Sequence, residues 1–551
     1  LGSLRALTEA FGARLEFGTA GIRGRMGAGP GCMNRVVVRR VTLGFARYLL
    51  ARRDAAEIDG DTVVVAFDGR RNSRIFAEEA AAILADSGLV VRLFDEPVPT
   101  PVLSHAVVGH GAIGGVMVTA SHNPPADNGY KVYWANGAQI IPPHDHGISA
   151  EIDRIGEVTP ALPDLAGLRL EGRVLSPEDA VMADYFAKVL ALRVHTGHSI
   201  RAVYTAMHGV GYATLKAVLK RCGDHELVPV VEQVEPDGAF PTVAFPNPEE
   251  AGALDLAIAC AQRSGAEVII AHDPDADRLA VAVPDGTGWR QLSGNEVGLL
   301  LAHDLLAHGS PGVSMAKKLV ATTIVSTTLL QRLAALRGAA YAETLTGFKW
   351  IANAAIDWKA EQDGHFVMGF EEALGYSVGE VVRDKDGISA GLVLLDLAAW
   401  CRSRGSSLAA HLDEIYAELG YAAVVQHSVK LPGADGRARI DGAMATLRSD
   451  PPRTLGGRAV LRVRDLQTGQ ATDLATGDRA PLRFPCSNVL VFDLDGGARV
   501  VARPSGTEPK LKFYMEVQSA VGADGLADAR RRADAGTGPL LQDILGAAGL
   551  S

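Results

Sequence analysis

The chain has 551 residues, 47% hydrophobic and 21% charged, with a net charge of -10, which predicts several soluble domains and excludes a dominant disordered region. The acidic balance leaves no basic footprint for nucleic acid or an anionic membrane, and no apolar run of spanning length or signal-peptide pattern occurs. Five scattered cysteines (Cys32, Cys222, Cys260, Cys401, Cys486) lack metal-ligand spacing and read as reduced thiols of a cytoplasmic protein.

Residues 1 to about 16 read as an amphipathic helix, and because Leu1 stands where a methionine would start a chain, a short stretch is expected ahead of it. Phe17 to Gly27 surrounds Arg23 and Arg25 with glycines, which suits a phosphate-facing loop or a solvated turn. Thr62–Asp68, Ile75–Asp86 and Leu89–Phe94 predict a βαβ unit and hence a parallel sheet. Glu96 to Pro101 reads as a stiff turn. Gly114–Thr119 is an apolar, β-branched strand that runs into Ser121, and Pro124-Pro125 forbids a helix after it. Ser121 is therefore expected on a rigid exposed loop, with Asp127-Asn128-Gly129 as a turn that returns Lys131, at the start of the strand Tyr130–Trp134, toward it. Taken alone, this is also what a plain surface turn would look like.

The strand, small-residue loop and helix layout recurs at Arg201–Gly211 and at Lys318–Thr328, whereas strands such as Ala459–Val463, Asn488–Phe492, Ala498–Ala502 and Leu511–Val517 precede a final helix. The expected fold is α/β: three serial mixed-sheet domains over 1–192, 193–309 and 310–421, then an α+β domain over 422–551.

Three stretches carry chemistry. After the strand Ala266–Ala271, Asp273, Asp275 and Asp277 alternate, and three carboxylates that converge when such a loop curls suit Mg²⁺. An acidic loop held by Arg278 is the plainer alternative, but three such acids repel one another without a cation. Thr346-Gly347-Phe348-Lys349, Glu371-Glu372-Ala373 and Lys385 offer either sugar-hydroxyl partners or an ordinary acidic helix start. Arg503, Ser505, Gly506, Thr507 and Lys512 have the composition of a phosphate cradle.

Together these stretches resemble the α-D-phosphohexomutases: Thr-Ala-Ser-His-Asn-Pro at 119–124, Asp-Pro-Asp-Ala-Asp-Arg at 273–278, Gly-Phe-Glu-Glu-Ala at 369–373 and Arg-Pro-Ser-Gly-Thr-Glu-Pro at 503–509. The four motifs stand in the family's order, one per domain, over nearly the whole chain. The resemblance implies four domains around a central cleft, with a phosphoryl group on Ser121. It places one Mg²⁺ on Asp273, Asp275, Asp277 and the phosphoserine oxygen, and the non-reacting phosphate on the 503 loop. It assigns sugar contacts to Arg278, Thr346, Gly347, Lys349, Glu371, Glu372, Ala373 and Lys385. The Phe17 to Gly24 opening and the 369–376 loop look most like the phosphoglucomutase and phosphopentomutase-type branch, although Ala373 stands where many hexomutases have serine.

The expected activity is a phosphosugar mutase acting between C1 and C6 of a hexose, glucose 1-phosphate to glucose 6-phosphate, with a sugar 1,6-bisphosphate as activator. Mannose or pentose phosphates are the alternatives. The rival readings are a metal-dependent phosphatase with Asp273 as nucleophile and a silent sugar-phosphate sensor. Lys131 is favoured for proton transfer with Arg23 as electrostatic helper, because arginine is a poor base. His122 adjoins Ser121, but its side chain is expected to point away. The expected partner is a small sugar phosphate, with neither nucleic acid nor membrane, in a monomer or small homo-oligomer.

Overall fold

Residues 7–8, 10–156, 158–286, 288–431, 435–505 and 509–550 are described by the computed structural model. The chain has a four-domain α/β architecture with mixed sheets, and it divides into two compact units. Unit 1 comprises 1–320 and 347–408; unit 2 comprises 321–346 and 409–551.

The strands of unit 1 form from apolar, β-branched runs too short for helices. The first sheet contains β1 (Gly21–Arg25), β2 (Thr62–Phe67), β3 (Val90–Leu93), β4 (Gly114–Val118), β5 (Asp127–Trp134) and β6 (Val174–Leu175), in the order β1-β5-β4-β2-β3-β6. β2 runs parallel to β3 and β4, and β5 runs antiparallel to β4 and β1. The helix Arg35–Asp54 is capped by Asn34, whose side chain accepts from Val37 N at 3.0 Å, and it lays Val38, Phe45 and Leu49 into one core with Val63, Val65, Val116 and Val118. Such a cap is worth about 1 kcal/mol.

The second sheet repeats the plan. It contains β7 (Arg201–Thr205), β8 (Glu226–Pro229), β9 (Val268–Ala271), β10 (Ala280–Asp285) and β11 (Gly288–Leu292), with β7 parallel to β8 and β9, and β10 antiparallel to β9 and β11. The order β8-β7-β9-β10-β11 matches β3-β2-β4-β5-β1 strand for strand. The recurrence read from sequence is thus a recurrence of topology, and the loop after β4 and the loop after β9 hold equivalent places. Of the third repeat, β12 (Lys318–Thr323) and β13 (Ala340–Thr344) precede β14 (His365–Glu371), which pairs antiparallel with β15 (Gly375–Val378).

Unit 2 contains β16 (Tyr421–Lys430), β17 (Thr454–Leu455), β18 (Arg458–Asp465), β19 (Gln470–Asp473), β20 (Arg479–Pro481), β21 (Leu490–Leu494), β22 (Arg499–Pro504) and β23 (Lys510–Ser519) in one antiparallel sheet. Met444 and Leu447 from the helix Gly436–Ser449 and Leu540 and Ile544 from Gly525–Ala547 share its core with Phe492 and Phe513.

Four local expectations need correction. Residues Gly21–Arg25 form a strand rather than a loop, because the glycines let it lie against β5: a Cβ on Gly21 would stand 1.9 Å from Tyr130 O. Asp127-Asn128-Gly129 is strand as well, since Asn128 is pinned by donating to Arg71 O and Ser73 Oγ at 2.9 and 3.0 Å, and the turn falls earlier, where Asp127 N donates to Pro124 O. The proline-rich stretch before Pro101 ends in a helix, Thr100–Gly109, with proline in its first turn, where a missing N–H costs nothing. At the N-terminus Leu7, Thr8, Ala10 and Phe11 are helical and Gly12 to Glu16 are not.

Candidate active site

Three loops in equivalent places, each joining a strand to its antiparallel neighbour, meet within unit 1. Each contains one non-glycine residue in the left-handed region: Ser121 after β4 (φ 50°), Ala276 after β9 (φ 53°) and Leu374 after β14 (φ 62°). Such residues persist only where their surroundings over-determine them.

For Ser121 those surroundings are explicit. Its backbone N–H donates to Thr119 Oγ1 at 2.8 Å, and Thr119 Oγ1 donates to the buried Asp68 at 2.6 Å. The guanidinium of Arg70 donates to the carbonyls of Ser121 and Asn123, and to that of Pro124 at 3.0 Å, so one planar fork fixes the loop. Ser121 is therefore tied by hydrogen bonds on both sides, and it is 3% exposed rather than presented to solvent as expected. Its Oγ donates to Asp273 Oδ2 at 2.8 Å. His122 corrects a second expectation: its Nδ1 lies 3.2 Å from Ser121 Oγ, because the left-handed turn at Ser121 brings the two side chains together. Burial, with Arg278 and Arg23 nearby, holds the His122 pKa well below the usual imidazole range.

Asp273, Asp275 and Asp277 are all at most 1% exposed, and their oxygens fall within 4.8 Å of one another. The loop can curl this tightly because Gly209 passes beneath it, where a Cβ would stand 2.4 Å from Pro274 Cα. Asp275 Oδ2 accepts from Thr100 Oγ1 and Lys131 Nζ, both at 2.7 Å; Asp277 Oδ2 accepts from Lys131 at 3.0 Å and lies 3.2 Å from Lys385 Nζ. Asp273 Oδ1 accepts from the backbone N–H of Arg278 at 3.1 Å, whose side chain stays 4.0 and 3.9 Å from Asp273 and Asp277. Burial works against ionisation of all three. For Asp275 the Lys131 charge wins and its pKa is lowered, whereas burial and the two neighbouring acids push Asp273 well above the carboxylate range. Burial alone would lower the Lys131 pKa, but Asp275 and Asp277 raise it.

The donor set fits a divalent cation. Asp275 Oδ1 and Asp277 Oδ1 are buried without a hydrogen-bond partner, a costly condition that a hard cation would relieve. The triad can hold a metal.

The other residues singled out by sequence take the following places. Lys385 also lies 3.3 Å from Asp384, which accepts from Tyr133 and Gln139 at 2.7 Å. Glu371 Oε1 accepts from Gly347 N at 2.7 Å, and burial raises its pKa against the pull of Lys385. Glu372 and Ala373 lead to Leu374, whose carbonyl accepts from Leu279 N at 3.0 Å, so the sugar-loop candidate is hydrogen-bonded to the end of the triad loop, just before β10. Lys349 donates to Thr19 O at 2.7 Å, and burial brings its pKa down to about 8. Arg23 is exposed on β1 and donates to Asn123 Oδ1 at 2.9 Å.

Family models match the chain in the order of its sheets: phosphoglucomutase/phosphomannomutase alpha/beta/alpha domains I, II and III at residues 14–159, 183–286 and 293–419, and the C-terminal domain at 459–533. The chain belongs to the phosphoglucomutase/phosphomannomutase family. It is a phosphosugar mutase, an isomerase-type phosphotransferase. It is 41% identical to a protein named "Probable phosphomannomutase" from Haemophilus influenzae over 88% of this chain and 93% of that one. It is 36% identical to human phosphopentomutase over 94% and 87%, and 35% identical to Staphylococcus epidermidis phosphoglucomutase over 92% of each. Relatives named for three sugars are thus similar to nearly the same degree.

In unit 2 of this mutase, Arg503 on β22 and Lys512 on β23 are direct cross-strand partners, and Ser505 N donates to Lys510 O at 2.8 Å. Gly506 and Thr507 lie outside the described residues. Thr346 ends the first segment of unit 2, with its buried hydroxyl lacking a hydrogen-bond partner. The functional positions that sequence reasoning missed are Arg70, which clamps the Ser121 loop, and Thr100, which supports Asp275. No helix among the described residues is long and apolar enough to cross a membrane.

Proposed function

We propose that this mutase interconverts glucose 1-phosphate and glucose 6-phosphate through a phosphorylated Ser121. The observation that carries the reading is the Ser121 Oγ to Asp273 Oδ2 contact of 2.8 Å beside two carboxylate oxygens without partners. The phosphoryl on Ser121 passes to the free hydroxyl of the bound monophosphate, giving a 1,6-bisphosphate and the free serine. After the bisphosphate turns over, its other phosphoryl returns to Ser121, so a sugar 1,6-bisphosphate should act as activator by loading the serine. Mg²⁺ held by Asp273, Asp275, Asp277 and a Ser121 oxygen would neutralise developing charge on the phosphoryl oxygens.

Lys131 is our choice for the group that exchanges a proton with the sugar hydroxyl, with Arg23 an electrostatic helper and His122, at 3.2 Å from Ser121 Oγ, the competing acceptor. Arg278, Thr346, Gly347, Lys349, Glu371, Glu372, Ala373 and Lys385 would contact the sugar. Arg503, Ser505, Gly506, Thr507 and Lys512 would hold the distal phosphate, a reading supported by the placement of Arg503 and Lys512 as direct cross-strand partners. We place the domain limits at 1–192, 193–309, 310–421 and 422–551, and the enzyme in the cytoplasm as a monomer or small homo-oligomer.

A pentose phosphate is the second reading, favoured by the 36% identity to human phosphopentomutase over 94% of this chain. A coupled assay with glucose, mannose and ribose 1-phosphates, Mg²⁺ and a trace of the matching bisphosphate tests both. A higher kcat/KM for ribose or mannose phosphate overturns the glucose assignment, and release of inorganic phosphate without isomerised sugar overturns the mutase mechanism.

A further inference from the structure

A second cluster of metal-ligand type stands in unit 1 apart from every residue assigned above. Asp304 and His308 lie four residues apart on the helix Gly294–His308 and so share one face, and His195 comes from the segment after the helix Asp179–Ala191. The His195, Asp304 and His308 ligand atoms fall within 4.8 Å of one another. His195 Nε2 is 2.7 Å from Asp304 Oδ1, and the Asp304 side chain is 2% exposed, with Oδ2 buried and without a hydrogen-bond partner. Trp400 sets both rings: His195 stacks on it at 4.4 Å and 13°, and His308 meets its edge at 5.4 Å and 74°.

We propose that His195, Asp304 and His308 form a second metal site, selective for Zn²⁺ or a similar borderline cation. Two imidazoles and one carboxylate are a zinc donor set, whereas the Asp triad offers only hard oxygens suited to Mg²⁺. Ligands about 2 Å from a tetrahedral ion stand about 3.3 Å apart, so a modest rotation of the exposed His308 closes the set. The ion replaces the proton shared by His195 and Asp304 and satisfies the orphaned Oδ2. It ties the chain after Asp179–Ala191 to the helix Gly294–His308, so its role is to hold structure, and the open position at His308 is its way in.

The test uses the full chain, stripped with a chelator and returned to excess Mg²⁺ to fill the Asp triad, then titrated with ZnCl₂ by calorimetry and with Co²⁺ by visible absorption. One equivalent of Zn²⁺ is expected, with tetrahedral Co²⁺ bands and a rise in Tm. His308→Ala, at an exposed helix end, should weaken that equivalent by at least about tenfold, the loss that follows removal of even an outer-shell partner. Its mutase activity should stay intact. Asp304→Asn should act in the same direction, and Asp275→Asn should keep the zinc equivalent. The proposal is overturned if the wild type takes up no Zn²⁺ in excess Mg²⁺, or if His308→Ala, folded by circular dichroism, binds it with unchanged affinity.

Discussion

Two buried clusters of charge differ in how completely they are answered. In unit 2, Glu516 accepts from Thr327 Oγ1 at 2.9 Å and from Thr328 N at 3.0 Å, and pairs with Arg499 at 3.1 Å; Arg499 also meets Glu343 at 3.1 Å and donates to Ser326 O. Arg464 adds a second contact to Glu343 at 2.6 Å, and its Nε, buried without a hydrogen bond, lies 3.3 Å from Asp493 Oδ2, so the carboxylates rather than every nitrogen are answered. In unit 1, the Asp triad has Lys131 and Lys385 on one set of oxygens and no hydrogen bond on Asp275 Oδ1 or Asp277 Oδ1. A closed network rigidifies, whereas an open one is unfavourable until something binds. Burial and charge alone do not distinguish a site from a strut; the unanswered oxygens do.

The largest expected effect lies at the open cluster's centre. Ser121→Ala removes the hydroxyl that Asp273 accepts from, and turnover should fall on the order of 10⁴-fold or more, as for loss of a nucleophile. Intact mass after treatment with sugar bisphosphate should show one added phosphate in the wild type and none in the variant. Label and turnover retained by the alanine protein would move the phosphoryl to another group.

Next come paired substitutions, one in each cluster. Asp275→Asn should cut kcat by about 10²- to 10³-fold with little loss of fold, since Lys131 keeps Asp277 as a partner at 3.0 Å and the repulsion on Asp273 falls. Mg²⁺ should raise the wild-type Tm but not the variant's, because a ligand stabilises only the state that binds it. Glu516→Gln should do the reverse, costing about 1.5–3 kcal/mol in denaturant unfolding by removing one of the two carboxylates that answer Arg499, with kcat per folded molecule nearly unchanged. If the two substitutions behave alike, the distinction between open and closed clusters is wrong.

A smaller effect is expected at Arg503, opposite Lys512 in unit 2. Its proposed contact is to the non-reacting phosphate and is similar in ground and transition states, so Arg503→Ala should raise KM more than it lowers kcat. The loss in kcat/KM should be about 2–4 kcal/mol. An unchanged KM would make that loop a structural cap.

The sequence pattern made the strand starts, the Ser121 loop and the triad legible, because buried β-branched runs, paired prolines and acids at alternate positions are local signals. What stayed hidden was held by distant partners. Arg70 clamps carbonyls beginning 51 residues away, a side-chain-to-backbone contact without a sequence pattern. Thr100 reaches Asp275 across 175 residues, yet Pro101 in the first turn of its helix was a readable start signal that the neighbouring prolines obscured. Asp127-Asn128-Gly129 misled because its turn chemistry is local and β1 overrode it through long-range pairing.

A third arrangement, a buried carboxylate answered by hydrogen bonds, gives the finest test of the comparison. Asp386 is 1% exposed and caps the helix Gly387–Ser403, accepting from Ile388 N at 2.9 Å and Ser389 N at 3.2 Å and from Tyr185 Oη at 3.1 Å. Burial outweighs these bonds and pushes its pKa up to about 6. A raised carboxyl pKa means the folded state binds the proton more tightly than the unfolded one. Its contribution to stability is therefore fully present below the ordinary aspartate pKa and is lost as pH rises to about 6. Asp386→Asn keeps an acceptor for the cap and removes the titration. The variant should gain on the wild type by about 1–3 kcal/mol between pH 4 and pH 7, read as the difference between their urea unfolding free energies at each pH. A difference that stays constant over that range would mean that the cap donors already answer the charge in full, and Asp386 would then belong with Glu516 among the closed networks.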